Sequence, residues 1–248
     1  MPGDLKTLGN AENAGAGGRM KYDIVYILKK DIDTEEIRYS LRSVEKHFPH
    51  RKVWIFGSCP DWIAPDEFVP FEQTGTSKFH KATSTYRKIC ETDGVTEDFW
   101  MFNDDFFVME KVDGLPYMYS GSLADRVQEI MDTAPWTRYG KNLKEAMREL
   151  EKKGCSTLNY ALHVPMLFNK AMVMEVLDKF DSPMFRSLYG NYWQVGGFDT
   201  EDVKINTLEG VPPEGCVLLS TSDRSFDRGE CGKIIRARFT EKSKWEVR

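Results

Sequence analysis

Asn103, Asp104 and Asp105 interrupt the most apolar stretch of the chain, FWMFNDDFFVM at residues 99–109. Two neighbouring carboxylates repel one another and resist burial unless something compensates their charge. A divalent cation compensates both at once. Oxygen-only ligands suit Mg2+ or Mn2+, which keep waters and accept phosphate oxygens from a substrate. Asn and Asp are also favoured turn residues, so the same three letters can be a polar turn between two strands. A tight hairpin prefers Gly at its centre, and this stretch has none. From the pattern alone both readings stay open.

Other side chains could serve phosphate or proton-transfer chemistry. Arg38 and Arg42 lie four apart on one helical face, spaced to grip a diphosphate with forked hydrogen bonds. They could equally pair with Asp33, Glu35 or Glu45 on their own segment. Lys78, Lys81, Arg87 and Lys88 form a basic helix face that is solvated by default, with Lys78 the best phosphate contact. His163 stands in NYALHVPMLFNK, where a lone histidine is more often a hydrogen-bonded core residue than a catalyst. In WQVGGFDTEDVKI, Gly196 and Gly197 precede Glu201 and Asp202. Those acids read either as the first turn of a helix or as a base that takes the proton of an acceptor hydroxyl.

The elements that must position these groups alternate. YDIVYIL, residues 22–28, is a near-continuous apolar run and predicts a strand buried on both faces. Residues 33–48 follow at helical period, with Ile37, Leu41, Val44 and Phe48 on one face. A second apolar strand then ends at Gly57 and Pro60. Strand, helix, strand in some forty residues of this sequence is a βαβ unit, which makes the core of the sheet parallel. Residues 78–91 predict a helix leading into the FWMF strand, and four large apolar residues in a row leave that strand no wet face. Further helices are predicted over 142–154 and 170–180. In open α/β sheets ligands settle at the carboxyl ends of strands, which is where this pattern delivers the Asp pair.

With 248 residues, 41% of them hydrophobic and 29% charged, the chain suits one substantial core. A net charge of -5 offers no bulk attraction to a polyanion. Five scattered cysteines, with no zinc-ligand spacing, fit reduced thiols in a cytoplasmic protein. No apolar segment is long enough to span a bilayer, so no membrane insertion is expected. Residues 1–20, rich in Gly, Ala and Asn, read as a flexible leader to a single domain over 21–248.

EIRYSLRSVEKHFPHRKVWIFGSCPDWI, residues 36–63, resembles a segment of the Stealth family of sugar-phosphate transferases, with the helix followed by Gly57, Pro60 and Trp62. FNDDFF is similar to the family's later YFNDDFF motif, in the same order. The resemblance implies an α/β fold of the GT-A type, with a mixed, mainly parallel central sheet flanked by helices. It also implies a nucleotide-sugar donor such as a UDP-sugar, a Mg2+ or Mn2+ cofactor held by Asp104 and Asp105, and transfer of either a glycosyl group or a sugar 1-phosphate. DIVY, residues 23–26, is similar to the start of the family's DVVYTWVDG motif, which implies nucleotide contact for Asp23; the Trp and Gly of that motif are absent. The His-x-Pro segment implies a place near the donor for His163, as base or metal ligand. Gly196, Gly197, Glu201 and Asp202 resemble the Gly-Gly and acidic pair of GT-A glycosyltransferases, which implies sugar contact and acceptor activation. The acceptor could be a glycan, a protein or a modified nucleic-acid base. Two other classes compete: a metal-dependent nuclease, for which Glu110-Lys111 is wrongly spaced, and a non-catalytic carbohydrate-binding module using residues such as Trp62, Trp136, Tyr192 and Trp193.

Overall fold

The computed structural model describes residues 21–29, 35–72, 78–134 and 137–247, without the side chains of residues 78–80 and 82. The expected leader lies outside the described residues. In chain order the elements are β1 (Asp23–Leu28), α1 (Glu36–His47), β2 (Val53–Gly57), β3 (Glu67–Pro70), α2 (Lys78–Glu91), β4 (Asp98–Phe102), β5 (Phe106–Val108), β6 (Met118–Tyr119), α3 (Leu123–Thr133) and α4 (Arg138–Lys152). They continue with β7 (Met166–Asn169), α5 (Lys170–Lys179), α6 (Phe185–Tyr192), β8 (Phe198–Asp199), β9 (Lys204–Ile205), β10 (Leu218–Thr221), α7 (Asp223–Arg228) and α8 (Glu230–Arg238).

The main sheet runs β3-β2-β1-β4-β7. Its first four strands are parallel, and β7 is antiparallel to β4. The expected mixed, mainly parallel sheet flanked by helices is therefore present. Alternation explains the unbroken apolar runs. Val25, Phe99 and Met101 face a layer built from α2 to α6, whereas Ile24, Tyr26, Trp100 and Phe102 face α1 and Trp245. Each of these strand residues is at most 6% exposed, so neither β1 nor β4 has a wet side.

The strand order reverses between β1 and β4, because β1 continues to β2 on one side while β4 lies on the other. This is the switch point at which open α/β sheets bind ligands. Since β7 is antiparallel, it starts beside the end of β4, with Met166 opposite Met101. The segment before β7, which carries His163, thus meets the segment after β4 at one edge. A three-stranded sheet, β5-β10-β9, and a two-stranded one, β6-β8, complete the fold.

Candidate functional site

The Asp pair sits in a turn. Phe106 N–H donates to the Asn103 carbonyl across 3.3 Å, and the turn carries the chain from the main sheet into the three-stranded one. The turn reading is therefore right for the backbone, although β4 and β5 belong to different sheets and form no hairpin. Strand register dictates what Asp105 meets. Ser220 of β10 pairs with Phe106 on one side and Lys204 on the other. Lys204 Nζ donates to Asp105 Oδ2 at 2.9 Å, and Ser220 Oγ donates to the same oxygen at 3.1 Å. The other oxygen, Oδ1, is buried and has no hydrogen-bond partner among the described residues.

Glu36, buried in the first turn of α1, accepts from Thr221 Oγ1 at 2.7 Å. Burial pushes its carboxyl up to about 8, and the charges of Asp104, Asp105 and Asp223 add to the rise. Burial likewise raises the Tyr26 phenol, which shares a 2.9 Å hydrogen bond with Ser40 Oγ, and Asp104 contributes. Burial is the main cause of both shifts, and the Asp pair at the C-terminal ends of β1 and β4 adds to them. Among the described residues no group of three or more His, Cys, Asp or Glu is arranged to hold a metal ion. The Asp pair and its unpartnered oxygen could supply one or two carboxylates, the number Mg2+ ordinarily takes from a protein when substrate phosphates complete its shell.

Beside this turn opens a cleft of about 670 Å³ whose lining includes Asn103, His163, Asp202, Arg126, Tyr139 and Arg186. His163 and Asp202, 39 residues apart, meet here: Nδ1 and Oδ2 are 2.7 Å apart, and the His163 backbone N–H donates to Oδ1 at 3.1 Å. Burial would raise the Asp202 carboxyl, but the bonds from His163 hold it below its usual value. A charged Asp202 accepts from Nδ1–H and leaves Nε2 able to receive a proton. Asp202 reaches His163 because β8 pairs with β6, with Phe198 opposite Met118. Gly197 makes that approach possible. Its φ is +121°, and a Cβ there would lie 2.3 Å from the Tyr117 carbonyl oxygen. Gly196 has φ +65° and accepts from Tyr160 Oη through its carbonyl at 2.8 Å. The pair shapes the turn into β8, and residues 201–203 are not helical.

Several sequence expectations need correction. Asp23 stands at the start of β1, the end of the sheet opposite the switch point, and is fully buried. Arg51 grips it twice, at 2.8 and 2.6 Å, and Trp54 Nε1 and the Thr96 N–H also donate to it. Its role is to tie strand starts together, and contact with a nucleotide is ruled out by its position. Arg38 and Arg42 also turn away from ligand binding. Arg38 donates to Glu246 at 2.6 Å and covers the Trp62 ring at 4.0 Å; Arg42 donates to both oxygens of Glu246 at 2.7 Å and to the Phe239 carbonyl. The acids of their own segment are not their main partners. Glu201 is exposed and does not line the cleft. The Lys78 side chain lies outside the described residues.

Two groups escaped sequence reasoning. Glu36 was visible only as one of several acids at a helix start. Arg186, in the first turn of α6, had no local signal beyond a single charge in the apolar run PMFRSL.

No protein-family model matches the chain. Two capsular polysaccharide phosphotransferases of Streptococcus thermophilus, Eps5J and CpsJ, are each 25% identical to it over 126 residues. The match takes in 44% of this chain and 50% of theirs, so the chain spans about half the length of these relatives. Among solved structures, the apo form of the glycosyltransferase GlyE from Streptococcus pneumoniae TIGR4 is 12% identical at a TM-score of 0.38, over 90% of this chain and 61% of that one. The apo form of mouse xyloside xylosyltransferase 1 is 9% identical at a TM-score of 0.36, over 92% and 96%. Superpositions this loose decide nothing further about fold or activity.

Proposed function

We propose that the chain is a phosphotransferase which moves a sugar 1-phosphate from a nucleotide-diphosphate sugar, such as a UDP-sugar, to an acceptor hydroxyl of a glycan. A single GT-A-like domain over residues 21–248 belongs to the same reading. The observation that carries it is the His163–Asp202 pair opening on a cleft beside the Asn103-Asp104-Asp105 turn, at the switch point of a parallel sheet. The similarity to capsular polysaccharide phosphotransferases favours phosphoryl over glycosyl transfer and a glycan over a protein or nucleic-acid acceptor.

In this reading His163 Nε2 takes the proton of the acceptor hydroxyl, whose oxygen attacks the phosphorus that bears the sugar. A new P–O bond forms, and the P–O bond to the nucleoside monophosphate breaks. Asp202 fixes the imidazole tautomer and stabilises its charged form through the 2.7 Å hydrogen bond. Asp104 and Asp105 would hold Mg2+ or Mn2+, and the buried, unpartnered Oδ1 of Asp105 suits that task. A metal there would neutralise charge on the transferring and leaving phosphates. Lys204 holds Asp105 in place.

Incubation with a UDP-sugar labelled in the sugar, an oligosaccharide acceptor and Mn2+ tests the reading. Sugar-phosphate transfer releases UMP and leaves label and phosphorus on the acceptor. Release of UDP would assign glycosyl transfer instead. Absence of any product across a panel of nucleotide sugars and capsular oligosaccharides would overturn the proposal.

A further inference from the structure

Arg186 is the least satisfied charge in the cleft. Its Nη2 donates to the Val164 carbonyl at 2.6 Å, but its Nε is buried and has no hydrogen-bond partner among the described residues. The same cleft is lined in part by apolar and aromatic side chains, among them Tyr86, Met101, Met184 and Phe185. Asp202, the acid whose charge reaches Arg186, is bonded to His163 through both oxygens. Burial presses the guanidinium down to about 10, and the charge of Asp202 offsets this only in part.

A cation in an apolar wall without a hydrogen-bonded counter-charge costs stability, and a methionine or leucine of similar volume would avoid that cost. Retaining arginine there fits a group whose partner arrives with a ligand. A guanidinium presents a planar fork of donors that matches two oxygens of one phosphate. Residues 183–186, around the start of α6, all line the cleft, and the N-cap residue Met184 supplies no side-chain hydrogen bond. The N-terminal end of α6 therefore adds its own positive potential to the same place.

We propose that Arg186, at the start of α6, is the phosphate receptor of the cleft, binding an oxygen pair of a diphosphate across from His163. This rests on the transferase reading for the identity of the ligand as the donor diphosphate, but the binding itself can be tested without turnover.

The test is calorimetric titration of the full chain with inorganic pyrophosphate, with orthophosphate and UMP as further arms and no divalent metal present. Arg186→Met should weaken pyrophosphate binding at least tenfold while leaving the melting temperature of the ligand-free protein unchanged or higher. Arg186→Lys should keep part of the affinity, because an ammonium supplies charge without the fork. Arg87→Met, which removes an exposed partner of Asp178, should bind pyrophosphate as the parent does. Binding of orthophosphate as tight as that of pyrophosphate would assign a single-phosphate site and overturn the diphosphate assignment. Equal pyrophosphate affinity in Arg186→Met and the parent, no binding to the parent at millimolar concentration, or a large fall in ligand-free melting temperature in Arg186→Met would each overturn the proposal. Pyrophosphate binding lost with Arg186 but no transfer from any nucleotide sugar would uphold Arg186 and sink the transferase reading. Transfer with an unaltered KM for the donor in Arg186→Met would do the reverse.

Discussion

Replacing Glu246 by Gln puts the corrected role of Arg38 and Arg42 to a quantitative test. The Glu246 side chain is fully buried and accepts from both arginines, from the Ser243 N–H at 2.9 Å and from Ser243 Oγ at 3.2 Å. Burial alone would raise its carboxyl, but these donors outweigh it and hold the group at about 2, down from 4.5. At 1.36 kcal/mol per unit, that difference corresponds to about 3 kcal/mol of folding stability. The folded-state value is the lower one, so this contribution is complete above about pH 5 and fades as pH falls from about 4.5 towards 2. Glu246→Gln should therefore lose about 3 kcal/mol at pH 7, a fall of about 6–12 °C in melting temperature for a chain of this size. The gap between parent and variant should shrink to below about 1 kcal/mol by pH 2, where the parent's carboxyl is half protonated, and vanish below that. Urea unfolding at pH 7, 4 and 2.5, with Arg42→Met and the double variant to complete a thermodynamic cycle, measures both quantities. A gap below 1 kcal/mol at pH 7, or one that persists undiminished at pH 2.5, refutes the clamp and returns the two arginines to the list of anion ligands.

Three further outcomes are expected. Asp202→Asn removes the charge that orients His163 and should lower kcat by about 10²–10⁴-fold with the melting curve little changed; steady-state kinetics with the labelled donor would contradict the assignment if kcat held. Asp105→Asn should cut turnover at least about a hundredfold and abolish any Mn2+-dependent thermal stabilisation, whereas full activity at low Mn2+ would remove Asp105 from the site. Gly197→Ala, forced into positive φ and against the Tyr117 carbonyl, should cost about 3 kcal/mol, and Gly196→Ala, with open space around its Cβ position, about 1 kcal/mol. Chemical unfolding of the two glycine variants would reveal whether the order is reversed.

The strands and helices around β1 and β4 were legible because each carries one clean period over five residues or more. Phe99 to Phe102 could be read as central because no side chain in it tolerates water. The short strands β5, β6, β8, β9 and β10 span two to four residues, too few for any period to emerge. They are nevertheless what bring Lys204 to Asp105 and Asp202 to His163. The start of α3 was readable in principle, since Ser122 and Asp125 form a reciprocal capping box. Arg42 was misjudged because its partner Glu246 lies 204 residues away, and spacing within a helix carries no record of distant acids. Asp23 was misjudged through direction: a charge at the beginning of a parallel strand lies at the wrong end of the sheet for ligand binding. Arg186 stayed hidden because what singles it out is an unpaired Nε, a property of packing that no residue type announces.

The antiparallel pairing of β7 with β4 separates two design problems. The spacing between the Asn103 turn and the His163 segment is fixed by ladder hydrogen bonds opposite Met101 and Met166, much as a ruler fixes two marks. The intervening excursion through α3 and α4 contributes Arg126, Glu129 and Tyr139 to the outer wall of the cleft but takes no part in that spacing. Lineages could therefore lengthen, shorten or recolour this wall to suit new partners while the reacting groups keep their mutual distance.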